Sequence, residues 1–198
     1  MVIGIDYSMT CPSMCIMVEP SLDKSMFYYL TSDKRRVGTF HNAVGFEHKE
    51  FYSDPERYDN IAEFFLNKIP LTSGKPPHVY IEDYSFGSTG KVFHIAENAG
   101  HLKYKLWEVG IPYTTFAPSA IKKFATGKGN ADKQKMYDAF VEETKETFHM
   151  LFNKNLTLGS PVTDIVDSYY IAKYGYHLTQ TKKEDSDEKS NAKKSKAR

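Results

Sequence analysis

Apolar and polar positions along this chain change period near residue 54. Before it, the apolar residues come in short, β-branched-rich runs: "VIGID" at residues 2 to 6, then "MCIMV" and "MFYYL". Runs of this length bounded by turn residues predict strands, and the segment Pro20–Ser25 between the second and third is turn-like. Three strands in a row predict an antiparallel meander. The next stretch, "KRRVGTFHNAVGFEHKEF", is compatible with further strand or with an insertion loop. From Asp54 the spacing becomes helical. Asp54 reads as a cap and Pro55 suits a first helical turn, after which Ile61, Phe64, Phe65 and Ile69 recur on one face.

"SGKPPH" breaks that helix and "VYIED" is a buried strand. Gly87 and Gly90 mark a loop. A long helix is expected from about Lys91 to Val109, with Val92, Ile95, Ala99, Leu102 and Leu106 facing the core. Gly100 inside it predicts a closely approaching neighbour backbone. "PYTTFAP" is a last strand and "SAIKKF" a short helix capped by Ser119. A further helix is capped by Asn130, and the final helix begins at Ser160 and Pro161. Five strands, first consecutive and then alternating with helices, predict an α/β fold: a mixed five-stranded sheet with helices on both faces, parallel in its alternating half.

Composition narrows this only a little. With 198 residues, 40% of them apolar, the chain suffices for one domain, placed at residues 1–178. Residues 179–198 are dense in charge and read as a disordered tail. A formal net charge of +1 announces no polyanionic partner. Cys11 and Cys15 imply neither a disulfide framework nor a metal grouping, and reduced thiols fit an intracellular protein. The opening residues lack the basic start and apolar run of a secretory leader. No stretch nears the roughly 20 apolar residues of a membrane span.

The chemistry is carried by acids placed where a core should be. In "TDIVDSYYIAKY" an almost wholly apolar helix carries Asp164 and Asp167 at i and i+3, on one face, where like charges repel. No Lys or Arg lies three or four residues from either, and Lys173 points to the far side. Asp6 closes the first strand and Glu82 the fourth. Each acid alone has an ordinary explanation, as a turn cap, a strand exit or a solvated helix residue. Taken together, the ends of two adjacent parallel strands and the acidic side of a terminal helix would share one pocket. Buried like charges need a counter-charge, and hard oxygen donors select magnesium or manganese. Two such ions roughly 4 Å apart suit phosphodiester cleavage.

These residues resemble the RuvC-like Holliday-junction resolvases of the RNase H-like nuclease superfamily. "IGID" looks like the first-strand motif with its catalytic Asp, here Asp6; "VYIED" resembles the strand bearing the catalytic Glu, here Glu82; "DIVDSYYIA" is similar to the closing motif with Asp164 and Asp167. The stretch from "AENAG" to "KGNADKQKM" is similar in register to the family's helix, strand and lysine-bearing loop. The resemblance covers the ordered chain except about Lys24 to Asp54. "DYSMT" departs from the glycine-containing turn that usually follows the first motif.

The resemblance implies an RNase H-like fold and a crossover-junction endodeoxyribonuclease, with Asp6, Glu82, Asp164 and Asp167 holding two Mg2+ ions that Mn2+ can replace. It places Lys122 and Lys133 near the scissile phosphate and matches a base-stacking aromatic to Phe86, with Tyr84 nearby. Core packing competes with that role. Lys123 and Lys135 read as surface residues, whereas Lys128, between Gly127 and Gly129, suits a backbone phosphate. The implied partners are branched DNA (four-way junctions, forks or flaps) and a second copy of the chain, meeting through the helix near Lys91. Two rival readings remain. "GIDYSMT" also looks like the phosphate loop of sugar kinases and actin-like ATPases, which need a second domain that 198 residues do not supply. A module that grips branched DNA without cutting it would not need all four acids.

Overall fold

The computed structural model describes residues 1–71, 74–83, 92–148 and 158–195, with the backbone alone for residues 182–195. Among them, seven strands form one sheet: β1 (Val2–Asp6), β2 (Ser13–Met17), β3 (Ser25–Thr31), β4 (Gly38–Phe40), β5 (Ala43–Glu47), β6 (His78–Glu82) and β7 (Tyr113–Phe116). Their order across the sheet is β4-β5-β3-β2-β1-β6-β7. β1, β2 and β3 form the expected antiparallel meander, and β6 and β7 join β1 in parallel. The five expected strands are thus contiguous. The other two come from the ambiguous stretch after residue 31, where β5 adds in parallel to β3 and β4 closes the edge. One consequence matters for the site: β1, β3, β5, β6 and β7 all run the same way, so their C-terminal ends share one edge of the sheet.

Helices cover both faces. α1 (Asp54–Leu66) and α2 (Val92–Glu108) lie on one. α3 (Pro118–Thr126), α4 (Lys133–Thr144) and α5 (Val162–Ser195) lie on the other. Strand alternation divides the core accordingly. Ile3, Ile5, Val79 and Ile81 pack with Ile61, Phe65 and Leu102 of α1 and α2. Val2, Cys15, Phe27, Tyr29 and Tyr80 pack with Phe140, Val166, Tyr169 and Tyr170 of α4 and α5. Phe140 meets Tyr169 edge to face at 5.2 Å, and Phe27 meets Phe148 in the same manner at 5.9 Å. Such pairs contribute about 0.5–1.5 kcal/mol each beyond burial.

The boundaries differ from expectation in detail. Ser53, not Asp54, caps α1 by accepting from Glu56 N. Asp132, not Asn130, caps α4. α3 starts at Pro118 behind Ala117, without a side-chain cap at Ser119, because proline's fixed φ already suits the first helical position. Gly100 is exposed, and an added Cβ there would meet nothing within 4 Å, so it admits no close neighbour. α5 continues as helix to Ser195, through most of the stretch read as a disordered tail; its Lys, Glu, Ala and Gln residues are good helix formers. No helix among the described residues is long and apolar enough to cross a membrane.

Candidate active site

Alternation along the strands decides where the acids point. On β1, Val2 and Gly4 face α5 while Ile3 and Ile5 face away, so Asp6 falls on the α5 side. On β6, Tyr80 faces α5, and Glu82, two residues on, shares its face. The parallel register pairs Ile5 with Ile81, which sets Asp6 and Glu82 level at neighbouring strand ends. α5 can lie directly on β1 because Gly4 has no side chain: a Cβ there would sit 2.3 Å from Ala172 N and 2.5 Å from Ser168 O. One turn further on, a Cβ at Gly175 would sit 2.2 Å from the Tyr80 ring. The two glycines press α5 against β1 and β6. Ser168 Oγ, which donates to Ile165 O, also lies 3.1 Å from Ser13 Oγ, pinning the helix to β2.

So seated, α5 turns Asp164 and Asp167 toward the strand acids. Asp164 is buried. Burial lifts the Asp6 carboxyl well above the usual range, and the nearby charges of Asp167, Asp164 and Glu82 add to it. Asp167 is pushed up to about 7 by burial, then by Glu82 and Asp164. Burial also raises Asp164 and Glu82. Opposing this, Lys133 acts on all four acids and Lys122 on Glu82 and Asp167. Lys133 Nζ lies 3.4 Å from Thr163 Oγ1, at the start of α5. Two cavities meet here. One of about 150 Å³ is lined by Glu82, Lys122, Lys133 and Asp167, and one of about 310 Å³ by Asp6, Tyr7, Glu82 and Lys122.

The residues present fit divalent cations by donor chemistry. Four carboxylates face two ammonium groups, leaving an excess of negative charge that desolvation makes costly. Asp164 Oδ2 is shut off from solvent without a hydrogen-bond partner, which is an open donor position. As placed, no three His, Cys, Asp or Glu side chains among the described residues already enclose an ion.

The remaining expected residues fall as follows. Lys128 is exposed in the turn after α3, where Gly127 takes the left-handed conformation at φ 76°; it lines neither cavity. Lys135 pairs with Asp132 at 3.4 Å, as suits a surface lysine. Lys173 reaches away from the acids to Glu143. Tyr84 and Phe86 lie outside the described residues. The sequence reading missed Gly4, whose signal was a glycine inside a β-branched strand, and the support around Asp164. There the Cys11 thiol and the Ser160 hydroxyl stand beside the carboxyl and favour its ionised form. Burial and the neighbouring acids push the Cys11 thiol up, which keeps it protonated and able to donate.

Comparison with solved structures shows that this fold is shared with RuvC. The structure of Thermus thermophilus RuvC matches with a TM-score of 0.57 at 16% identity, over 91% of this chain and 95% of that one. T. thermophilus RuvC in complex with a Holliday junction substrate matches with a TM-score of 0.56 at 15% identity, over 87% and 90%. The yeast mitochondrial Holliday junction resolvase Ydc2 matches with a TM-score of 0.51 at 14% identity, over 87% and 75%. In sequence, the chain is 30% identical over 86 residues to the crossover junction endodeoxyribonuclease RuvC of Gloeobacter violaceus, a match covering 43% of this chain. It spans about half the length of that relative, 46%. No family model matches.

Proposed function

We propose that this protein is a structure-selective DNA endonuclease that resolves Holliday junctions or other branched DNA by metal-dependent phosphodiester hydrolysis. The observation that carries this reading is the gathering of Asp6, Glu82, Asp164 and Asp167, far apart in the chain, at one sheet edge. A sugar-kinase-like phosphotransferase does not account for the two helix aspartates. The four acids would hold two Mg2+ ions, or Mn2+ in their place. Such a pair supplies an activated water and charge stabilisation for the leaving 3′-oxygen. Lys133 and Lys122, flanking Glu82 and Asp167, offset charge developing on the phosphate. Lys128, exposed beyond α3, contacts a backbone phosphate further out, and Phe86 with Tyr84 supplies the stacking aromatics.

A homodimer completes the reading. α2 exposes Phe93, Tyr104 and Trp107, at 77%, 54% and 70%, and Gly100 leaves room between them for a facing helix. A two-fold pair would present two sites to a two-fold junction. An intracellular place, where the DNA is, goes with this function.

The test is incubation with labelled four-way, three-way, flap and linear duplex DNA, with and without Mg2+. Cutting of branched DNA alone, and only with the cation, is expected. Binding without cutting would instead favour a junction-gripping module.

A further inference from the structure

The stretch that adds β4 and β5 also builds a groove beside α1, and nothing in the proposed cleavage uses it. It encloses about 240 Å³ between one face of α1 and the C-terminal end of β5, a space suited to one nucleotide and not to a duplex. Its lining is aromatic and basic. Phe46 meets Phe64 at 5.2 Å, and Lys68 Nζ sits 4.3 Å above the Phe46 ring. At the other end the Arg57 guanidinium lies 4.9 Å over the ring of Phe51, a residue 40% exposed. Lys49 completes three cations against one lining carboxylate, Glu47, which is already paired with Lys34 at 3.8 Å. Among the described residues, no acidic partner holds Lys49, Arg57 or Lys68. Arg57 Nε, moreover, is buried without a hydrogen-bond acceptor.

The groove is tied to the acid site through one loop. Arg57 Nη2 donates to Met9 O at 2.6 Å, and His48 Nε2 lies 2.9 Å from Thr10 O. Both carbonyls belong to the loop between β1 and β2, which leaves the sheet at Asp6 and carries Cys11 against Asp164. β5 ends on the same sheet edge as Asp6 and Glu82.

We propose that this groove binds an unpaired nucleotide of a single DNA strand extending from the branch, with its two flanking phosphates shared among Lys49, Arg57 and Lys68 and the base against the aromatic lining. The proposal rests on the nuclease reading for the identity of the polymer. Aromatic surfaces interleaved with cations are how sequence-tolerant single-strand sites are built.

The test is anisotropy of a labelled oligothymidine with the full chain in chelator, over a range of salt. A Lys49→Glu/Lys68→Glu double variant should bind at least tenfold more weakly. Its log–log salt slope should be shallower by about 1.4, two cations at roughly 0.7 each for single strands. It should still cut a fully paired four-way junction at the wild-type rate. Phe51→Ala should lose affinity that Phe51→Trp retains, with thermal midpoints confirming that both fold. Wild-type binding by the double variant, or polyglutamate competing as well as oligothymidine, would overturn the proposal. If the wild type binds the oligonucleotide but cuts no branched DNA with Mg2+, the nuclease reading fails and the groove stands.

Discussion

A Cβ on Gly4 would lie 2.3 Å from the backbone nitrogen of Ala172. The site depends on that contact, because it allows the terminal helix to lie against the first strand closely enough for the charges of Asp164 and Asp167 to act on Asp6. Gly4→Ala forces backbone away from backbone, with no flexible side chain to give. Overpacking of this kind costs about 1–3 kcal/mol. Urea denaturation should show that loss, and cleavage by the folded fraction should fall further than stability does.

The raised carboxyls make stability depend on pH in a stated direction. Asp167 titrates at about 7 in the folded protein, above its unfolded value near 3.8. The folded state therefore holds more protons between those values, and stability falls as pH rises through that window. Metal-free protein should lose on the order of 1–3 kcal/mol between about pH 4 and pH 8. Asp167→Asn should flatten the dependence, and Mg2+ should restore the wild type at pH 8. Denaturation midpoints across pH, with chelator and with Mg2+, check this.

Lys133 is the cation common to the surroundings of all four acids. Lys133→Ala should lower the single-turnover cleavage rate by about 10²–10³, the usual cost of removing one donor aimed at developing charge. Junction affinity should change much less, and Lys133→Arg should recover part of the rate.

The exposed stripe on α2 predicts self-association. Trp107→Glu should convert a dimer to a monomer in sedimentation equilibrium while the far-ultraviolet spectrum stays unchanged. Paired cuts in a four-way junction should then become independent single nicks.

Much of this was legible in the sequence because the signals were local. Two carboxylates on one face of an apolar helix, and one at the end of each of two buried strands, are patterns that can be read from neighbouring residues alone. The fold built around β1 to β3, β6 and β7 followed from period alone. β4 and β5 did not, since a three-residue strand and a short strand set between charged stretches carry too little apolar signal to separate from a loop. Glycine was ambiguous for a physical reason. Gly4 and Gly175 mark close approach, whereas Gly100, in the amphipathic α2, faces open space, and only the three-dimensional partner distinguishes them. The groove beside α1 was invisible because its cations and rings come from β5, the segment after it, α1 and the turn that follows α1, and no spacing in the chain links them.

The most direct measurement is cleavage of a labelled four-way junction in Mg2+ by the wild type and by Asp6→Asn, with binding followed in parallel. Magnesium-dependent incision by the wild type, absent in Asp6→Asn despite near-equal binding, is the predicted result. An Asp6→Asn protein that cuts the junction at the wild-type rate would contradict the account.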